Sequence, residues 1–330
     1  MYKKLTIFVM SVFFVTLAAI ILQVNVNKPR ILVLHSYSND YVWTREVNVG
    51  LERVFGIQHG VEIRFHEMST KKHSGKDYKR RAGIAARTAI EKIRPNILIA
   101  VDDDAQKYAA KHYLNDPNMK IVFAGINGSP KPYGYLKANN VTGILERKPA
   151  KALKEVVMML SKDMDIRGRK PRAVFLADKS HSTKRDGGYL DTFDWGNVEY
   201  LGRQAVGTFA DWKKSVASMS DKADFILVGG YRKLLKSTGS KDFVKAKEVM
   251  SWTEKNSLIP VIGMNIFNSK EGAMLSVGVS PFEQGEVAAT MAMQLIHGTD
   301  IKSLPIKTSS QYIIAVWQAP STLDTFQRIN

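Results

Sequence analysis

Cysteine is missing from all 330 residues. Its absence excludes a disulfide framework, a zinc-thiolate centre, a thiol nucleophile and an acylated-cysteine lipoprotein anchor. The phosphate-cradling patterns Gly-x-x-x-x-Gly-Lys and Gly-x-Gly-x-x-Gly are missing too, and Gly229-Gly230 alone does not replace them. No Gly-x-Ser-x-Gly elbow accompanies His35, Ser36 and Asp40, and neighbours in sequence rarely assemble a Ser-His-Asp triad. His59, His66 and His73 recur without a His-Glu-x-x-His helix and read as surface histidines, because ligands at that spacing do not share adjacent helical turns. Asp102-Asp103 at a strand end is reminiscent of the magnesium pocket of receiver domains, but those are single-lobed and about half this length. The expectation is no catalytic residue, no metal and no cofactor.

Acidic residues are in the minority: 31 against 48 lysines and arginines, a formal charge of +17. A basic chain raises the question of nucleic acid. Here the cations are scattered through Lys71-Lys72, Lys79-Arg80-Arg81, Arg167 to Lys170, Lys184-Arg185 and Lys213-Lys214, with no block resembling a recognition element. The reading is a solvated surface and no nucleic-acid partner, the alternative being attraction to anionic lipid headgroups or an acidic ligand. One long uncharged run is present, Leu5 to Leu22 behind Lys3 and Lys4. It fits a signal sequence or a membrane anchor in residues 1–27, with the chain from about Asn25 outside the cytoplasm. Its length and the lack of an Ala-x-Ala site favour the uncleaved anchor.

What remains is long enough for two lobes with ample core. Apolar runs of strand length alternate with helical periodicity, the pattern of parallel α/β sheets. Expected strands are Arg30 to Leu34, Val61 to His66, Ile97 to Val101, Lys120 to Ala124 and Val141 to Leu145. Helices are expected over Thr44 to Phe55, with Thr44 a possible N-cap, Lys76 to Ile93 and Asp102 to Leu114. A second set opens with the amphipathic Pro149 to Ser161. It continues through strands at Ala173 to Ala177, Val198 to Val206, Phe225 to Gly229 and Pro260 to Met264, with helices at Trp212 to Met219 and Lys241 to Asn256. The stretch Asp178 to Gly196 is polar and turn-rich.

In open α/β sheets ligands bind beyond the carboxyl ends of the strands. Residues just past each strand therefore become the candidates: Ser36, Tyr37, Tyr41, Trp43, Asp103 and Asn127 from the first set, and Ser180, Tyr231, Asn265 and Phe267 from the second. Aromatic walls with hydroxyls, amides and a carboxylate suit a small polar solute with an apolar part. Tyr41 and Trp43 fit core packing equally well, Asp102 to Asp104 also supply a helix cap, and Asn127 fits turn chemistry.

Three segments carry a family resemblance: Ser36-Tyr37 through Trp43-Thr44, Asn140-Val141-Thr142-Gly143, and the stretch from Ala273 through Ser280-Pro281-Phe282-Glu283-Gln284-Gly285 to Val316. They resemble the ABC transporter substrate-binding proteins and the extracytoplasmic sensor domains of the same fold. The resemblance covers residues 29–330 and implies the periplasmic-binding-protein type I fold: two Rossmann-like lobes with parallel sheets joined by a three-crossing hinge. Lobe 1 would be 28–143 with 280–307, and lobe 2 would be 144–279 with 308–330. It implies a periplasmic or extracytoplasmic protein that closes on an amino acid or similar small organic solute and presents it to an ABC permease. The alternative it implies is a sensor docked on a histidine kinase or diguanylate cyclase. Asp178 to Gly196 departs from the family pattern, where a helix opens.

Overall fold

The computed structural model describes residues 2–26, 28–166 and 168–316, leaving aside the side chains of 2–5, 19–26 and 181. In chain order, the first stretch forms α1 (Tyr2–Val26), β1 (Arg30–His35), α2 (Val42–Phe55), β2 (Glu62–Glu67), α3 (Lys76–Ile93), β3 (Ile97–Val101), α4 (Asp102–Tyr108), β4 (Lys120–Ile126) and β5 (Val141–Leu145). The second forms α5 (Ala150–Leu160), β6 (Arg172–Asp178), α6 (His181–Asp191), β7 (Glu199–Val206), α7 (Phe209–Met219), β8 (Phe225–Val228), α8 (Ala246–Asn256), β9 (Val261–Gly263), α9 (Phe267–Lys270) and β10 (Leu275–Val279). The chain closes with α10 (Pro281–Ile296), β11 (Lys307–Thr308) and β12 (Tyr312–Val316). Two compact units result, Met1–Ile144 with Gln284–Lys307 and Leu145–Glu283 with Thr308–Asn330, so the chain passes three times from one to the other.

Each unit holds one six-stranded sheet, in the orders β11-β5-β4-β3-β1-β2 and β12-β10-β9-β8-β6-β7. Pairing is parallel for β1 with β2 and β3, and for β6 with β7 and β8, as the alternating apolar runs require. Strand β12 pairs antiparallel with β10. Successive side chains of a strand point to opposite faces, and the cores show it. In the first unit Ile31, Val33, Ile97 and Ile99 join the cluster under α2 and α10, while Leu32, Leu34, Leu98 and Ala100 join the one on the α3 face. In the second unit Val174, Leu176, Ile226 and Val228 pack with α7 and α8, while Ala173, Phe175, Phe225 and Leu227 pack with α5.

Several sequence expectations are corrected. Helix α2 begins at Val42 with Tyr41 as its N-cap, so Thr44 is no cap but a fully buried residue of the first turn. The polar stretch after Asp178 is helical: Thr183, Gly187 and Leu190 are buried at the spacing of a helix face, and small residues there disguised the periodicity. Helix α4 stops at Tyr108 and passes into a 3-10 turn over Ala110–Tyr113. Helix α8 starts only at Ala246, because Phe243 and Val244 bond back to the Leu234–Leu235 segment.

The expected anchor, Leu5 to Leu22, falls on α1, and part of it lies outside the described side chains. Among the described residues no helix is long and apolar enough to cross a membrane.

Candidate functional site

In the first unit the strand order reverses between β1 and β3, the place where an open α/β sheet leaves a crevice at its carboxyl edge. Ser36 leaves β1 there and is fully buried. Its hydroxyl donates to Val101 O at 2.7 Å and accepts from Ala105 N at 2.7 Å, which ties β1 to β3 and α4. Ser36 is therefore a positioning residue, and nothing in its surroundings makes it a nucleophile: the adjacent His35 points Nε2 at Asn48 Oδ1, 2.7 Å away. Burial lowers the His35 imidazole from its usual 6.5 to about 4, against a smaller upward pull from Asn48.

Asp102 opens α4 in the left-handed region at φ 65°, a costly conformation for a residue with a Cβ. Its Oδ1 accepts from the Trp43 indole at 3.1 Å. Asp103 Oδ1 accepts from the Tyr133 hydroxyl at 2.7 Å, and Asp104 is ion-paired with Lys79 at 2.7 Å. The indole and the phenol orient Asp102 and Asp103 while adding no charge. Tyr37 and Tyr41 meet edge to face at 5.5 Å, and Lys71 Nζ stands 5.1 Å and 5.2 Å from their ring centres. Burial pushes the Tyr37 phenol well above its usual value, and Asp102, Asp104 and Asp103 push it further. Asn127 donates to Gly125 O at 3.1 Å, and Gly125 N donates to the buried Gln284 Oε1 at 2.8 Å. Tyr37, Tyr41, Trp43 and Asp103 thus gather at one edge with partly exposed surfaces, and Asn127 borders them through Gly125 and its neighbour Asp102.

The second unit reverses its order between β6 and β8. The buried Asp178 accepts from Ser180 N at 2.9 Å, Thr183 Oγ1 at 3.2 Å and Lys233 N at 3.0 Å, so its carboxylate fastens the loops. Ser180 bonds Ser182 and Thr183 through hydroxyls at 3.1 Å. Tyr231, expected beside a ligand, is fully buried. Its hydroxyl donates to Glu271 and accepts from Asn268 at 2.9 Å, and its ring meets Trp212 edge to face; it supports the edge from within. Asn265 accepts from Lys148 Nζ at 2.5 Å, and Lys148 lies 3.6 Å from Asp186. Phe267 lies 4.0 Å beneath the Arg232 guanidinium, which is itself paired with Glu271.

Sequence reasoning missed Tyr133, Gln284, Lys148, Arg232 and Glu271. Lys148 follows the end of β5, so the strand-end rule applied there would have found it; Tyr133 sits in a loop and carried no signal.

Two of the three motif segments, Asn140 to Gly143 and Ala273 to Val316, lie at the chain crossings. Asn140 Nδ2 donates to Tyr113 O and Met119 O, both at 2.9 Å, and Thr142 Oγ1 donates to Leu304 O at 2.7 Å. A Cβ on Gly143 would lie 2.2 Å from Phe123 O, and one on Gly285 would lie 2.1 Å from Val47 O, so only glycine permits these approaches. The buried Glu283 accepts from Ser310 N, Ser310 Oγ and Gln311 N at 2.7–3.0 Å. Among the described residues no group of three His, Asp or Glu could hold a metal ion.

Residues 210–319 match the family model described as ABC transporter substrate binding protein. No curated protein matches the sequence. Among solved structures, the chain is similar to a ligand-free, open substrate-binding protein with adhesive properties from Clostridium difficile, at 14% identity and a TM-score of 0.65, over 89% of this chain and 97% of that one. It is similar to a conserved domain protein from Vibrio cholerae at 13% identity and a TM-score of 0.55, over 91% of this chain and 98% of that one. It is also similar to an ABC domain from Streptococcus pneumonia in complex with L-Trp, at 16% identity and a TM-score of 0.52, over 88% of this chain and 92% of that one. At these identities the likeness is one of fold, and the fold is the two-unit α/β architecture of the periplasmic-binding-protein type I class.

Proposed function

We propose that this chain, which has the fold of the ABC transporter substrate-binding proteins and matches their family model over residues 210–319, is an extracytoplasmic receptor for a small amine-bearing organic solute, an amino acid or a close analogue. The observation that carries the solute class is the arrangement at the carboxyl edge of the first sheet. There Trp43 and Tyr133 orient the carboxylates of Asp102 and Asp103 beside the Tyr37–Tyr41 corner. An ammonium group finds there both charge-assisted acceptors and aromatic faces, and an apolar side chain finds ring surface. Asn127 in the first unit, and Ser180, Asn265 and Phe267 in the second, stand as further solute contacts, with Ser36 and Tyr231 positioning them. A solute that engages both units favours the closed state by its differential affinity for it, and an ABC permease reads that state.

The test is a thermal-shift screen of the full chain against amino acids, nucleosides, sugars and small organic acids. A solute at 100 times its Kd adds about 2.7 kcal/mol to stability. A response confined to amine-bearing solutes is the expected result. A response to sugars or nucleosides alone would overturn the solute class, and a flat response across the panel would overturn the receptor reading.

A second reading is favoured by α1, whose side chains Ile7, Phe8, Phe13 and Val15 stand more than half exposed. Such a face suits an uncleaved anchor in the inner membrane. The receptor would then stay at the membrane and report to a histidine kinase or diguanylate cyclase. Retention of residues 1–24 in the mature protein supports this reading; their removal, with the protein free in the periplasmic fraction, overturns it.

A further inference from the structure

A cavity of about 570 Å³ opens in the first unit at the amino edge of its sheet, opposite the edge described above. Arg30, at the start of β1, and Arg94, just past the end of α3, line it together with Asn96 and Asn118, which precede β3 and β4. Among the described residues neither guanidinium makes an ion pair or a side-chain hydrogen bond, and the Arg30 Nε is buried without an acceptor. A buried guanidinium donor left without an acceptor is unfavourable, and a bound anion would relieve it.

Two carboxylates, Asp116 and Glu91, share the cavity lining. Asp116 Oδ1 accepts from Asn118 N at 2.8 Å, and Glu91 faces Tyr113, whose phenol burial and that carboxylate push up to about 12. Arg94 caps α3 in the left-handed region at φ 50°, a position where glycine is favoured, yet it carries a long cationic side chain that forms part of the cavity wall.

We propose that this cavity is a second binding site, for a phosphate-type oxyanion, held by the Arg30 and Arg94 guanidiniums with the Asn96 and Asn118 amides beside them. Planar guanidiniums present paired donors that match tetrahedral oxyanions, and neutral amides add donors at no charge cost. The anion has two sources, free inorganic phosphate or the phosphate of a lipid headgroup. The second source rests on the anchor reading of α1, from which only residues 27–29 separate β1. The site is independent of the solute reading, because it lies at the opposite edge of the sheet.

The test uses the full chain, with inorganic phosphate as probe and chloride at matched ionic strength as control. Phosphate is expected to raise Tm saturably, and Arg30→Gln and Arg94→Gly are each expected to weaken the apparent affinity about tenfold or more. Arg94→Gly also relieves the backbone, so its Tm without phosphate should equal or exceed that of the parent, which separates loss of the site from loss of the fold. Comparing phosphatidylcholine vesicles with and without phosphatidylglycerol then distinguishes the sources. A Tm rise specific to phosphatidylglycerol and competed by phosphate assigns a headgroup, and a response to phosphate alone assigns the free anion. Absence of a phosphate response in the parent, or the same response in both variants, would overturn the proposal.

Discussion

At the carboxyl edge of the first sheet, Asp102 and Asp103 accept from an indole and a phenol; at the same edge of the second, Lys148 faces Asp186, and Arg232 is paired with Glu271. The strand orders are the same, β3-β1-β2 matching β8-β6-β7 around each reversal. The difference lies in how charge is satisfied. In the first unit an indole and a phenol donate to two of the acids at the rim of the edge. In the second, opposite charges on neighbouring elements satisfy one another, which fixes those elements. On the proposed function, equal topology would not divide the binding work equally, and the first unit is expected to dominate affinity.

The largest test of that contrast is a pH effect at the root of the first edge. His35 is neutral in the fold down to about 4, while an unfolded histidine takes up its proton near 6.5. The unfolded state therefore binds more protons throughout that window, and stability falls as pH drops from 6.5 toward 4 and levels off below. The drop attributable to this group is about 3 kcal/mol, and His35→Asn should remove most of that slope in denaturation curves taken across the window. A slope unchanged in the variant would assign it to other groups.

Next comes Trp43→Ala, expected to weaken solute binding about a hundredfold, roughly 2.8 kcal/mol, by removing a ring wall and the Asp102 orienter. Trp43→Phe keeps the ring and should lose about tenfold. Titration calorimetry with the solute found in the screen measures both, and unchanged affinity in Trp43→Ala and in Asp103→Ala would remove the site from this edge.

The smallest effect is expected in the second unit. Glu271→Ala leaves the buried Tyr231 hydroxyl without its acceptor and Arg232 without its partner, and should cost about 2 kcal/mol of stability with affinity nearly unchanged. If that variant lost affinity as strongly as Trp43→Ala, the asymmetry between the units would be wrong.

The sheets were legible in the sequence because runs such as Ile31 to Leu34 and Ile97 to Val101 are buried on both faces and so read as uninterrupted apolar strands. Helix α6 was not, since its buried face consists of Thr183, Gly187 and Leu190, and threonine and glycine carry little apolar signal. The strand-end rule puts Trp43 and Asp103 at the carboxyl edge because it follows the backbone. It also picked Ser36 and Tyr231, whose polar atoms turn inward, a direction set by rotamer and packing that position along the chain does not encode. The most family-like residues turned out to be structural: Thr142, Gly143, Glu283 and Gly285 secure crossings and close helix contacts.

The first unit is discontinuous, and its core under α2 includes Ala288, Ala289, Met291 and Ala292 from α10. Synthesis runs from the amino end, so β1, β3 and β4 emerge with this face covered by α2 alone and wait for the whole of Leu145–Glu283 to follow before α10 completes the cover. The second unit is nearly complete by then and is the earlier of the two to settle. A chain truncated before Gln284 would thus keep part of that apolar face open, the form on which chaperones and proteases act, although every strand that lines the first edge had already been made.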